Sequence, residues 1–80
     1  MNIGKATKMR LLELCEQRNL TINALCIISG VTQSTVNNLM SGRNNSITIS
    51  TLKKLCDGLN LFIGDFFDSE LFRNLEQEVQ

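Results

Sequence analysis

The chain has 80 residues, 42% of them apolar, with eight basic and eight acidic side chains and no proline, tyrosine, tryptophan or histidine. That length fits a single domain over residues 1–80 with a small core and no deep substrate cleft, and the apolar content argues against intrinsic disorder. Without histidine the commonest neutral-pH acid or base and the commonest nitrogen metal ligand are missing, so neither an enzyme nor a metal site is expected.

At the N-terminus MNIGKATKMR has no hydrophobic run behind its basic residues, so no signal peptide is expected. No 18-residue apolar segment occurs either, and the expectation is a soluble, cytoplasmic protein with no membrane partner. The first helix is predicted from about Lys5 to Arg18, with Met9, Leu12 and Cys15 at every third residue and Leu11 and Leu14 widening the stripe. Asn19 ends it. Leu20 then precedes Thr21, an N-cap for a second helix over about Ile22 to Ser29 whose inward residues are Leu25 and Cys26.

Gly30 supplies the backbone freedom of a sharp turn, and Val31 drops toward the core as the chain reverses. Thr32 caps a third helix over about Gln33 to Met40, with Val36, Leu39 and Met40 as its apolar side. Ser41-Gly42 stops it, and Arg43 to Ser46 form a polar loop. Thr48 caps a fourth helix through Gly58, with Ile49, Leu52, Leu55, Cys56 and Leu59 facing inward. Phe62, Ile63, Phe66 and Phe67 supply a short fifth helix starting near Gly64-Asp65. Leu71, Phe72 and Leu75 continue the pattern, so the core spans about residues 5–68 and residues 69–80 form a helical extension or a tail.

Cys15, Cys26 and Cys56 are odd in number, lack a CxxC pairing and sit among apolar residues at helical spacing. They are predicted to be small buried hydrophobes of a reducing compartment.

The zero net charge conceals an asymmetry. Up to Arg43, the basic residues Lys5, Lys8, Arg10, Arg18 and Arg43 outnumber Glu13 and Glu16 by three, and beyond it acidic residues outnumber basic ones by three. An anionic partner is drawn to the first half, unless the split is chance.

Two short helices joined by a tight turn form a helix-turn-helix unit, whose second helix enters the DNA major groove. Gln33, Ser34, Asn37 and Asn38 are left for the polar side of that helix. Gln and Asn carboxamides bridge adenine N6 and N7, and Ser hydroxyls meet several base edges. Adjacent asparagines within so short a helix cost several tenths of a kcal/mol each against alanine, roughly. Contact with a polar partner explains that cost, as does asparagine-rich composition. Phosphate contacts call for positive charge and open helix-start amides. Arg10, Arg43, Asn44 and Ser46, with Thr21 and Asn23 at the start of the second helix, are the candidates.

In the order and spacing of Leu20-Thr21, Leu25-Cys26, Gly30 to Val36, Leu39, Ser41-Gly42-Arg43, the Thr48 to Leu59 helix and the closure through Phe66, the chain resembles the Cro and phage-repressor type of helix-turn-helix domain, the XRE family. The resemblance covers roughly Lys5 to Phe67. It implies an all-α, compact five-helix, lambda-repressor-like fold without a cofactor. It also implies sequence-specific binding of double-stranded DNA by a homodimer that regulates transcription, as a repressor of Cro-like type does. Base readers then fall on Gln33, Ser34, Asn37 and Asn38, and the phosphate loop on Arg43 to Ser46.

Three departures stand against the pattern. Ile22 replaces a glutamine that similar domains place beside the DNA backbone, and Cys15 and Met40 stand where they often pair arginine with glutamate, a replacement expected to be neutral or stabilising. Ile27 and Ile28 replace charged residues. With Ile22 they form a candidate apolar patch, and Phe67, Leu71, Phe72 and Leu75 form a second one. These surfaces suit self-association or a protein partner, so the alternative function is a protein-interaction module of antitoxin or anti-repressor type. Burial of the isoleucines decides whether the first patch exists.

Overall fold

Five α-helices follow one another within residues 1–79, the part of the chain that the computed structural model describes: α1 (Ile3–Gln17), α2 (Ile22–Ser29), α3 (Gln33–Met40), α4 (Ile49–Gly58) and α5 (Ile63–Phe67). A single 3-10 turn at Glu70–Phe72 comes after them. The architecture is all-α, the five-helix arrangement that the resemblance in sequence implies. None of the described helices is long and apolar enough to cross a membrane.

Three helix starts, those of α1, α2 and α4, follow side-chain caps. Thr21 accepts a bond from the Ala24 amide at 3.0 Å and Thr48 from the Thr51 amide at 3.1 Å, as their positions before α2 and α4 predict. The first helix begins two residues before Lys5, because Asn2 Oδ1 accepts from the Lys5 amide at 2.8 Å.

Three helix ends share one device. Asn19, Gly30 and Asn60 adopt left-handed backbone with φ of 54°, 68° and 56°. The next residue in each case, Leu20, Val31 or Leu61, donates its amide to a carbonyl five residues back, on Cys15, Cys26 or Cys56. Those bonds are of Schellman type, and the apolar residue that makes each one also packs on the core. Gly30 is the position where the turn between α2 and α3 requires the conformation most directly.

The core is built from Leu11, Leu14 and Cys15 of α1, Leu25 and Cys26 of α2, Val36 and Leu39 of α3, Leu52, Leu55 and Cys56 of α4, then Leu59 and Phe66. Phe66 is fully buried, so its truncation to alanine removes roughly 3–5 kcal/mol. All three cysteines are free and buried, and burial pushes each thiol above its ordinary range. At neutral pH they remain protonated packing groups.

Several expected inward residues point outward. Met9 and Leu12 are exposed, because the inward face of α1 runs through Ala6, Thr7, Leu11, Leu14 and Cys15. Thr7 is tolerated there by donating its hydroxyl to the Ile3 carbonyl at 2.8 Å. Ile49 shares the stripe of Leu52 but is 79% exposed. Helical side chains lean toward the N-terminus, so one in the first turn overhangs the end of its helix. Phe62 is not helical; it occupies the N-cap of α5 in extended backbone and is 83% exposed.

Residues 69–79 do not continue as an α-helix. Ser69 is extended, and the 3-10 turn lays Phe72 against Phe66 and Phe67, with ring centroids 5.9 and 5.0 Å away. The Glu76 amide donates to the Met1 carbonyl at 3.1 Å, and the terminal ammonium reaches the Glu76 carboxylate at 3.3 Å. The extra apolar residues of the tail therefore cover this domain's own core in part.

Where α2 crosses α4, the most extensive helix pair, Ser29 Oγ lies over Gly58, shielded from solvent and without a hydrogen-bond partner. Ser29→Ala is expected to raise unfolding stability by about 1 kcal/mol, since an unmade buried hydrogen bond is removed. Urea denaturation measures it, and a destabilised variant would show that the hydroxyl has a partner in solution.

Candidate nucleic-acid interface

Three residues, Gly30 to Thr32, separate α2 from α3. Val36 and Leu39 anchor α3 in the core at 1% and 3% exposure, and this orientation leaves Gln33, Ser34 and Asn37 exposed on the opposite side. Asn38 lies half-buried at the edge of that face. Its carbonyl accepts from the Asn44 amide at 3.1 Å and the Ser41 hydroxyl at 3.3 Å, so its backbone fastens the following loop.

The start of α3 differs from those of α1, α2 and α4. Thr32 sits at the N-cap position but makes no side-chain cap; its hydroxyl pairs instead with that of Thr35 at 2.7 Å. The first-turn amides of α3 thus lack a side-chain acceptor, at the end of the helix that carries Gln33 and Ser34. Partial positive charge there favours an anionic neighbour.

At the start of α2, Thr21 and Asn23 are both exposed. Thr21 uses a lone pair on Ala24 and keeps its hydroxyl proton available. In the loop after α3, Arg43, Asn44 and Ser46 are exposed. Asn44 Oδ1 accepts from the Ser46 amide at 3.2 Å and the Ser46 hydroxyl at 3.3 Å, a small ring that shapes the loop and leaves the Asn44 NH₂ free.

This loop is seated on the first turn of α1. A Cβ added at Gly4 would fall 2.7 Å from the Asn45 Cα and 2.8 Å from its carbonyl carbon, so only glycine permits the approach. Lys5, the next residue of α1 after Gly4, is exposed. No periodicity argument identified it, because the signal is a backbone contact between segments forty residues apart.

Arg10 does not belong with the phosphate candidates. Its side chain is only 12% exposed; Nε donates to the Phe66 carbonyl at 2.8 Å, Nη2 to the Asp65 carbonyl at 2.9 Å, and Nη1 pairs with Glu13. The guanidinium closes the end of α5 instead of meeting a ligand. Arg18 acts alike on α4, donating to the Leu59 carbonyl at 3.1 Å. Lys5, Lys8, Arg43 and Lys54 make no ion pair among the described residues.

The candidate apolar patch on α2 is smaller than the spacing indicated. Ile22 packs against the core, whereas Ile27 and Ile28 are 75% and 58% exposed. In the C-terminal set Phe72 also packs on the core, Leu71 and Leu75 are half-buried, and Phe67 is 40% exposed. The described residues contain no group of three or more carboxylates and thiols that could hold a metal ion.

The family model of the Cro/C1-type HTH DNA-binding domain matches residues 10–70. The fold is also similar to the crystal structure of the prophage Lp1 protein 11, with 38% sequence identity and a TM-score of 0.82 over 94% of this chain and 100% of that one. No curated protein matches. The chain belongs to the Cro/C1-type helix-turn-helix family, whose domains are sequence-specific DNA binders and transcriptional regulators and not enzymes.

The different engagement of Arg10 and Arg43 is measurable. Arg10→Ala is expected to lower unfolding stability by about 2–3 kcal/mol, the range for hydrogen bonds from a charged donor. It should leave the salt slope of DNA binding unchanged. Arg43→Ala should leave stability within about 0.5 kcal/mol and flatten that slope by about one. Equal flattening by both variants would mean that Arg10 abandons its carbonyls for phosphate.

Proposed function

We propose that this domain binds a palindromic duplex operator as a homodimer and regulates transcription there. Gln33, Ser34 and Asn37 read bases, Asn38 contributes from the edge of the same face, and Arg43 anchors a phosphate. The observation that carries the reading is the exposed polar face of α3, held opposite Val36 and Leu39. Thr21 and Asn23 at the start of α2, Asn44 and Ser46 in the loop, and Lys5 in the first turn of α1 supply further backbone contacts. With few free cations, the domain depends on base contacts more than on non-specific charge.

Two copies suit a palindrome because each places one α3 in a major groove on the same side of the duplex, about 34 Å apart. Exposed Ile49 and Phe67 line one apolar groove bordered by Ile3, Leu39 and Leu52, which supports a second copy as its occupant.

Selection from random duplexes at about 50 mM salt tests the reading, since low salt preserves electrostatic contacts. The expected product is a motif of two inverted half-sites about ten base pairs apart, with binding weakened roughly tenfold by Gln33→Ala. Failure to enrich any motif, or unchanged binding by Gln33→Ala, rejects it.

A second reading rests on Ile27 and Ile28, which are large, apolar and exposed side by side near the end of α2. A protein contact made there alongside DNA binding explains their exposure. The double substitution Ile27→Asp with Ile28→Asp should preserve operator binding in vitro within about threefold, given that surface changes are usually mild, while abolishing regulation in cells. Intact regulation by that variant removes this reading.

A further inference from the structure

Met9 and Leu12 stand on the outward side of α1, 37% and 43% exposed, away from the stripe of Leu11, Leu14 and Cys15 that enters the core. They are three residues apart, so they adjoin on the helix surface. One turn before them come Lys5 and Lys8, and one turn after them Glu13 and Glu16, each four residues from an apolar neighbour on the same side. Lys5 and Glu16 are exposed, and Lys8 and Glu13 are half-buried. Lys5, Lys8 and Glu16 make no ion pair among the described residues, and Glu13 pairs with Arg10.

This stripe runs basic, apolar, acidic, and it mirrors itself with reversed charge about the midpoint between Arg10 and Leu11. Lys5 corresponds to Glu16, Lys8 to Glu13 and Met9 to Leu12. A second α1 laid antiparallel on it sets Met9 against Leu12 twice at the centre and opposite charges at both ends. A parallel one sets lysine against lysine and glutamate against glutamate. Two-fold pairing requires a patch complementary to itself, and charges that flank an apolar seam fix the direction of the partner helix. From Lys5 to Glu16 the stripe is about 16 Å long at a rise of 1.5 Å per residue. One helix pair of that length covers less than the roughly 1,200 Å² of a stable interface, so the pairing it supports is reversible.

We propose that α1 pairs antiparallel with α1 of a second copy, Met9 packing on Leu12 across the two-fold axis while Lys5 and Lys8 face Glu16 and Glu13 of the other chain. The contact is distinct from the groove of Ile49 and Phe67, which meets α1 at Ile3 and Thr7. It uses no residue of α3, and of the phosphate candidates only Lys5. Pairing through α1 does not depend on operator binding. Where copies occupy neighbouring operators, tethering on one duplex raises their effective concentration and turns a weak contact into cooperative occupancy.

Sedimentation equilibrium of the full chain over a concentration series, without DNA, tests the pairing. An association step is expected that Lys5→Glu and Glu16→Lys each weaken roughly tenfold, because each variant opposes like charges at both ends of the seam. Lys5→Glu combined with Glu16→Lys in one chain restores opposite charges and should return to within about threefold of the native association. An equimolar mixture of the two single variants should recover in the same way, which loss of a phosphate contact by Lys5 does not explain. Leu12→Glu should abolish the step, with urea denaturation showing that the domain remains folded. Sedimentation that none of these variants changes, or a double variant weaker than either single one, overturns the inference. Duplex selection is scored separately, so chains that enrich a motif without pairing through α1 leave the operator reading in place.

Discussion

Helices of five to fifteen residues have few interior peptide groups, so the way their ends are closed decides whether the bundle holds. Here the C-terminal carbonyls are met by two devices. The left-handed pairs Asn19-Leu20, Gly30-Val31 and Asn60-Leu61 turn the chain back and press an apolar side chain onto the core in the same step. Arginines on α1 and at its C-cap supply the second device, with Arg18 donating to the end of α4 and Arg10 to the end of α5. The first helix and its C-cap thereby fasten two short helices through acceptors 41 to 56 residues further along the chain.

That use of arginine explains how an anionic-partner surface arises in a chain without excess charge. Two of the five cations up to Arg43 are directed at carbonyls, so the proposed recognition falls to a neutral face and to Lys5, Lys8 and Arg43. Binding that draws little on counterion release must draw more on hydrogen bonds to bases. The unusual N-terminus of α3 fits the same division. Where the other long helices close their first amides with Asn2, Thr21 or Thr48, α3 leaves Thr32 bonded to Thr35 and its amides open. An open end is a liability in an isolated helix and an asset beside a polyanion.

What the sequence disclosed depended on how local the cause was. The bounds of α2, α3 and α4 were legible because Thr21, Thr32, Thr48 and Gly30 sit within a few residues of the ends they define. The exposure of Gln33, Ser34 and Asn37 followed from the spacing of Val36 and Leu39 in the same short helix. Errors appeared where a distant partner or the edge of the core decides the outcome. Arg10 looked like a solvent cation because its acceptors, Asp65 and Phe66, lie more than fifty residues away. Ile49 had the right period for burial, and only the extent of the core beneath the first turn of α4 shows that nothing covers it. The tail carried an apolar pattern that also suits a helix, yet Ser69 turns it into a cover for Phe66.

The contact between Gly4 and Asn45 joins these threads. The loop after α3 has no helix of its own to hold it, and its internal bonds from Asn44 to Ser46 give it shape but not position. Position comes from two attachments: the Asn44 amide on the end of α3, and the backbone of Asn45 against the first turn of α1. Since Asn2 starts that turn and Arg10 on the same helix closes α5, α1 carries the alignment of both the loop and the closing helix. The proposed reading face can therefore remain neutral and short, because its orientation relative to Arg43 is set by α1.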